Sequence, residues 1–544
     1  MRDPARPITR REWVLVLAAG LLILLVLSIP YLIGLWASTP DMTFGGFLFG
    51  LEDAHSYVAK MRFGAWSGPL AGLVYTHEPH RAGLLFLFYQ APGRLAALIT
   101  GQGPAVETAT LIVFYHAVRV AAGLALLLML YRFVADYLDP PGSRLLAWGI
   151  AVLGGGLGWA LLALDMVRGG GAARLPVDLY IPEAFTLLSL YGIPHLLAAR
   201  MLLLLGWWLL LRALDDGRWG RAAGAGLAWL GMTAIVPFYG ALLGVLIAAW
   251  LLALWIAGRR FPGGALRMAA LAGALPALAL IYYAWLFTTD PVMAAWSAQN
   301  RLPSPPVIDY LLAFGPLIAP GLPAAAALLR QRLTPRAALL ITWPVTAAVL
   351  VYLPINVQRR LLEGVIVPLA ILAALGAARL LERHRAVWTA ALALLFAALL
   401  PSALILLTGG VMAAATPAPP IFHPADELAA LDYLRLNAPP GSLVLATHES
   451  GNILPAYAPV RVYVGHGPET ANSAVKDAIA LTFFHGGMDD AARRELLDEI
   501  GAAYVWGGPA ERPAACAADC FDPAALSLTA VFTRGGYTIY EVGR

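Results

Sequence analysis

The residues best suited to chemistry lie between the first long apolar run and the second, in the segment 37–81. Its core reads "GLEDAHSYVAKMRF", Gly50 to Phe63, and it ends on "YTHEPH", Tyr75 to His80. The segment is too polar to cross a bilayer and too aromatic for an idle connector. The stretch from Glu52 to about Phe63 predicts a short interfacial helix, ended by Gly64, Gly68 and Pro69. Spacings of four and three residues put Asp53, Tyr57 and Lys60 along one face of it, with Glu52 and His55 on the adjoining face. A carboxylate held there can take the proton of an acceptor hydroxyl, given a suitable pKa and position. Lys60 would lower the Asp53 pKa and burial would raise it. His77, Glu78 and His80 bring further titratable groups. The competing reading is a solvated juxtamembrane helix anchored at the interface by Tyr57, Trp66 and Tyr75. Three ligating side chains in "HEPH" do not establish a metal site, so a divalent cation is left unspecified.

The elements that must position these groups are mostly transmembrane. The chain has 544 residues, of which 60% are hydrophobic and 13% charged, with a mean hydropathy of +0.71. A soluble protein of this length needs more polar surface. The net charge of +4 does not point to nucleic acid, because the arginines gather at the ends of apolar runs. A crossing takes about 20 residues. Candidate spans are 13–36, 82–99, 108–131, 145–164, 183–198, 199–212, 222–238, 240–258, 267–287, 307–329, 337–354, 361–379 and 386–410. Three of these are short (82–99, 183–198 and 199–212), and Pro194 can kink one long helix instead of separating two, so the count is about eleven to thirteen. Arg2, Arg6, Arg10 and Arg11 place the N-terminus in the cytoplasm. Basic islands at Arg212/Arg218/Arg221, Arg259/Arg260/Arg267, Arg330/Arg332/Arg336 and Arg379/Arg383/Arg385 are separated by pairs of apolar segments, so all four fall on one side. Either count is odd and delivers the C-terminal region to the outside. Arg359 and Arg360, in "YLPINVQRRLLEG", fall on the outer side against this trend. They either snorkel to headgroups or bind an anionic ligand.

Three regions follow: a multi-spanning domain at 1–411 that includes the outer loop 37–81, a linker at 412–422, and an extracytoplasmic α/β domain at 423–544. In the last, 423–437 and 488–500 read as helices, "GSLVLAT", "VRVYVG" and "AAYVWGG" as strands, and "SLTAVFTRGGYTIYEV" as a terminal hairpin. Polar turns "THESGN", from Thr447, and "GHGPET", from Gly465, follow strand ends, where α/β sheets often bind ligands. They serve equally well as helix caps and turns. Cys516 and Cys520 on the oxidising side suggest a local disulfide. Asp178, Glu183 and His195 surround an irregular apolar stretch, as a cavity wall or as caps and packing groups.

Glu52-Asp53-Ala54 with Tyr57 and Ala59, then "YTHEPH", then "YHAVRVAAGLALLLMLYRFVADYL" from Tyr115 to Leu138, resemble the GT-C class of membrane glycosyltransferases. The likeness is to bacterial enzymes that use polyprenyl-phosphate-linked sugars, related to the aminoarabinose and protein mannosyl transferases. It covers about the first 210 residues, counted along this chain. The acids run Glu-Asp where the relatives commonly have Asp-Glu, and Pro79 stands where many have two prolines. The resemblance implies an inverting transfer at the outer face of the bacterial cytoplasmic membrane, from the lipid-linked donor to a glycan, lipid or protein acceptor of the cell envelope. It implies Asp53 and Glu52 as catalytic acids, with His55, Tyr57, Lys60, Tyr75, Glu78 and His80 as substrate contacts, and Arg359 and Arg360 on the lipid phosphate. A non-catalytic envelope assembly protein and a secondary transporter are the alternatives. No inverted repeat of the kind transporters carry is visible.

Overall fold

A computed structural model describes residues 7–171, 175–383, 385–512 and 521–543. Cys516 and Cys520 lie outside the described residues, as does any bond between them. Seven helices are long and apolar enough to cross a membrane: Arg10–Ala37, Thr108–Val134, Pro194–Asp216, Pro237–Gly258, Gly263–Thr289, Val307–Leu329 and Leu392–Ala415. An eighth crossing is formed if the pair Pro141–Leu153 and Gly158–Val167, bent by 46°, is one broken span. Pro335–Leu350 and Ile366–Arg379 are shorter apolar helices, and Trp219–Ile235 has 17 residues. Each stands where a span was expected.

Two expectations change. The segment 82–99 forms only the 14-residue helix Leu87–Thr100, and at about 1.5 Å per residue this falls short of a hydrocarbon core roughly 30 Å thick. The pair 183–198 and 199–212 is a single 23-residue helix, Pro194–Asp216, preceded by the seven-residue helix Thr186–Gly192. Pro194 stands at its first position, where the missing N–H costs nothing. Neither segment supplies all the full-length crossings expected of it, and among the described residues the helices long and apolar enough to span number seven, or eight with the bent pair.

The chain folds as two compact units. The first comprises Met1–Ile29, Arg119–Tyr283 and Arg301–Gly410, and the second Pro30–Val118, Ala284–Asn300 and Val411–Arg544. The second unit thus groups the first outer loop with the residues from Val411 onward.

In the first unit, Trp207 is buried edge-on to both Trp229 and Trp250, at centroid separations of 5.3 and 5.7 Å. At one end, Glu12 accepts from Tyr131 and from Arg144 (2.8 and 3.0 Å). There too Asp136 gathers Arg132, Arg212 and Arg336, and Arg336 also pairs with Asp215. Two of the expected basic islands thus meet at the same end as the N-terminal arginines, as the alternation of apolar segments requires.

The second unit is built on a five-stranded sheet. Strands β1 (Met42–Phe44) and β2 (Phe422–Pro424) pair antiparallel and tie the start of the outer loop to the start of the C-terminal region. The sheet itself contains β3 (Leu443–Leu445), β4 (Arg461–Val462), β5 (Tyr504–Gly507), β6 (Thr529–Arg534) and β7 (Tyr537–Glu541), in the order β4-β3-β5-β7-β6. β3 is parallel to β4 and β5, while β7 runs antiparallel to β5 and β6. The strands and terminal hairpin fall where the alternation predicts them. Against one face of the sheet pack residues of the acidic helix Leu51–Trp66, including Ala54, Val58 and Met61, in one core with Val444, Leu454, Trp506 and Ile539. Arg62, 1% exposed, is fully used: it donates to the carbonyls of Ala456 and Val106 (3.0 and 2.7 Å) and to the Thr108 hydroxyl (2.8 Å).

The acidic helix crosses Leu87–Thr100 at two glycines. A Cβ on Gly64 would strike the backbone of Gln90, and one on Gly93 the backbone of Met61. Backbone cannot yield as a side chain can, so overpacking here should cost about 1–3 kcal/mol. Gly93→Ala is expected to lower the thermal midpoint of the detergent-purified protein, whereas Gly68→Ala, with nothing near its Cβ direction, should leave it unchanged.

Candidate functional site

Glu52 and Asp53 sit in the first turn of Leu51–Trp66, where the helix dipole favours negative charge. Their side chains are 50% and 57% exposed. Each faces an imidazole from the C-terminal region. Glu52 Oε1 lies 3.3 Å from His448 Nε2 and accepts from the Gly467 N–H at 3.0 Å. Asp53 Oδ1 lies 3.3 Å from His466 Nε2. The hydrogen bond from His448 holds the Glu52 carboxyl below its ordinary range, with the Gly467 N–H and the charge of His466 adding to this against the opposing effect of burial. The same bond raises His448.

Both histidines come from the turns "THESGN" and "GHGPET". The first is the start of the helix His448–Tyr457, which follows β3, and the second follows β4. A Cβ on Gly451 would strike the Val464 carbonyl, and one on Gly465 would strike Gly451. Glycine at both positions therefore lets the two segments touch backbone to backbone, which sets their histidines side by side. Asn452 completes the junction. Its amide donates to the Glu52 carbonyl (3.2 Å), its Oδ1 accepts from His55 Nδ1 (2.8 Å), and its carbonyl accepts from the Tyr75 hydroxyl (3.1 Å).

The remaining sequence-derived candidates are placed differently from expectation. Lys60 shares the helix with Asp53, yet its ammonium is 2.5 Å from Glu469 Oε1 and 3.2 Å from Ser56 Oγ, with the Phe86 ring 4.3 Å away. It is 7% exposed, so its ammonium is engaged within the protein. Tyr57 stacks on Tyr89, with centroids 4.7 Å apart and planes 9° apart, so its ring serves packing. His55 is buried, and burial together with His423 pushes it down to about 4. It is a neutral ligand of Asn452. Tyr75 is wholly buried, and burial pushes its phenol up. Glu78 accepts from Lys476 at 2.6 Å and from Thr76; despite burial, these bonds hold it below the ordinary range. His80 Nε2 accepts from the Leu73 N–H (2.7 Å), leaving Nδ1 to donate to the Glu78 carbonyl (2.8 Å). "YTHEPH" is thus a structural clasp for the loop. Among the described residues, no three His, Cys, Asp or Glu side chains gather as a ligand set for a metal.

Arg359 and Arg360 belong to the first unit. Arg360 Nε is 3.3 Å from Glu183 Oε1, and its guanidinium is 5.7 Å from the Phe238 ring. Arg359 lies 5.1 Å over the Tyr180 ring. Nearby, Glu363 is held by Arg200 (2.5 Å) and by Tyr239. Glu183 is therefore an ion-pair partner, which its place in a proline-marked stretch did not reveal. Sequence reasoning also missed His448, His466 and Glu469 as partners of the acidic helix, although it had singled out both turns that carry them.

The Glu52–His448 contact should make stability depend on pH. His448, raised from 6.5, contributes fully below that value and loses its share as pH rises through the raised pKa; Glu52, lowered from 4.5, contributes above that value and loses its share as pH falls through its own. Both are intact between about pH 4.5 and 6.5. The melting difference between the wild type and Glu52→Gln should be greatest in that window and shrink above it. For so exposed a pair it should amount to about 0.2–1 kcal/mol. A difference independent of pH would show that the contact carries no charge.

No protein-family model and no curated protein matches the sequence. Solved structures do match the fold. The oligosaccharyltransferase of Archaeoglobus fulgidus, tethered to an acceptor peptide containing an NVT sequon, superposes with a TM-score of 0.55 at 13% identity, covering 89% of this chain and 69% of that one. ArnT of Cupriavidus metallidurans bound to undecaprenyl phosphate gives a TM-score of 0.48 at 14% identity, covering 98% of each chain. At these identities the likeness is one of fold. The chain is a multi-pass membrane protein with the GT-C architecture, carrying a sheet-containing C-terminal domain.

Proposed function

We propose that this protein transfers a sugar from a polyprenyl-phosphate-linked donor to a hydroxyl of a cell-envelope acceptor, with inversion, at the outer face of the bacterial cytoplasmic membrane. The observation that carries this reading is the half-exposed carboxylate pair Glu52–Asp53, each acid set against one imidazole. The fold is consistent with it, since the A. fulgidus neighbour is an oligosaccharyltransferase crystallised with an acceptor peptide.

In this reaction the acceptor oxygen forms a bond to the anomeric carbon while the bond from that carbon to the phosphate oxygen breaks. The lipid phosphate leaves with the electron pair, and the acceptor's proton passes to Asp53. The leaving group is already an activated phosphate and needs little protonation, so the burden falls on the base and on charge stabilisation. Asp53 is the base. Arg359 and Arg360 are the proposed contacts for a lipid phosphate, a role for which a planar, forked donor is apt. Arg360 is shared with Glu183, which makes Arg359 the more available of the two.

The test is single-turnover transfer by the purified chain with defined polyprenyl-phosphate-linked sugars. Asp53→Asn should reduce the rate by about 10²–10⁴-fold, and Glu52→Gln by less. Arg359→Gln should weaken donor use more than Arg360→Gln does, and Arg359→Lys should keep part of it. Near-wild-type rates in both acid variants would defeat the reading, and full donor use in both arginine variants would remove that pair.

The proposed sidedness has its own test. Leu436, 65% exposed at the end of the helix Ala425–Asn437, is changed to Cys in a chain whose Cys516 and Cys520 are replaced by Ser. An impermeant thiol reagent should label it with the inner membrane intact. Labelling only after permeabilisation would reverse the topology.

A further inference from the structure

His466 is 4% exposed and stands between two carboxylates. Its Nε2 faces Asp53 Oδ1 at 3.3 Å, and its Nδ1 faces Glu469 Oε1 at 3.9 Å. An ionised carboxylate only accepts, so the proton in the Asp53 contact belongs to Nε2. Nδ1 is buried without a hydrogen-bond partner, and Glu469 is the anion nearest to it. Glu469 is itself 4% exposed and fixed by Lys60 at 2.5 Å. The Tyr75 ring packs 5.5 Å from the imidazole, and the backbone N–H of His466 donates to the Thr470 hydroxyl at 3.3 Å. The imidazole thus has little freedom to turn away from Asp53.

We infer that His466 is a positioning residue for Asp53, which fixes the orientation of that carboxylate and favours its ionised form. This rests on Asp53 being the base. Beside His466, Glu469 and Lys60 are buried and paired with each other. An uncompensated charge among them would be costly, so the pair resists rearrangement. The charged and titratable groups around Asp53 are Glu52 and Lys60 on its own helix, Tyr75 and Tyr89 in the segments after it, and His448, His466 and Glu469 from the C-terminal region. Among these, His466 supplies a donor to the Asp53 carboxylate itself, so its removal acts on that carboxylate first.

The experiment reads Asp53 without relying on turnover. The full-length protein in detergent is modified with a water-soluble carbodiimide and an amine nucleophile across a pH series. Such a reagent attacks the protonated carboxyl, and peptide mass spectrometry gives the pH at which Asp53 labelling is half-maximal. His466→Phe should move that midpoint up by about one unit, the lower end for loss of a favourable partner of a carboxylate. His466→Gln keeps an N–H donor of similar reach and should move it less. In the transfer assay, kcat should fall with the donor KM unchanged, more in Phe than in Gln. An Asp53 midpoint that stays put in both variants overturns the inference, even if activity is lost. Absence of transfer by the wild type would instead count against the proposed function, and the labelling midpoints would still decide whether His466 governs Asp53.

Discussion

Two carboxylates on consecutive residues stand half open to solvent, and the second unit surrounds them with groups that favour negative charge. The helix start supplies part of what is needed. The rest arrives as one imidazole for each acid and one backbone N–H. None of these comes from the acidic helix itself. They come from residues following β3 and β4, about four hundred positions downstream along the chain. The lowered pKa of Glu52 therefore depends on the sheet of the C-terminal region being folded. It also depends on Gly451 and Gly465, whose contact lets the two segments lie close enough for both histidines to reach.

The same dependence is visible in the charges that are not exposed. Lys60–Glu469 and Lys476–Glu78 each join the outer loop to the C-terminal region, and Arg62 is satisfied by carbonyls from two separate segments. Buried pairs of this kind add little net stability, because desolvation offsets the attraction, yet breaking one is expensive. Their effect is to admit a single arrangement. A carboxylate that must meet an incoming hydroxyl benefits from such fixity, since a preorganised group needs no reorganisation when the reaction occurs. Asparagine 452 shows how finely the junction is filled: one side chain and its carbonyl together serve Glu52, His55 and Tyr75.

Much of this was legible in the residues, and the limit of legibility has a physical reason. The acidic helix, the strands, the terminal hairpin and the two polar turns follow from periodicity and turn chemistry, which are local. Helical spacing correctly puts Asp53, Tyr57 and Lys60 on related positions, but it says nothing of competitors from elsewhere. Glu469 takes Lys60, and the Tyr89 ring takes Tyr57. "HEPH" offers ligating side chains in the sequence, whereas in the fold His80 spends both ring nitrogens on backbone groups and Glu78 is engaged by Lys476. The expected span at 82–99 fails for a related reason. Hydropathy registers the segment as apolar, but its helix has only 14 residues and lays one face on the acidic helix at Gly64 and Gly93.

The adjacent arginines of the first unit present the opposite balance. A guanidinium within or beside a membrane is costly unless it has a partner, and Glu183 gives Arg360 one permanently. Glu183 is nearly buried, so the pair is mutual: each residue makes the other affordable. Arg359 rests on the Tyr180 ring, a contact that attracts a cation through the ring quadrupole and leaves its net charge uncompensated. A surface built this way holds one positive charge neutralised and one available beside it. An anion approaching the pair gains most from Arg359 and must compete with Glu183 for Arg360. Under the proposed phosphate-binding role, a ligand with several anionic oxygens would be favoured, because it can meet Arg359 and still offer Arg360 an alternative to Glu183.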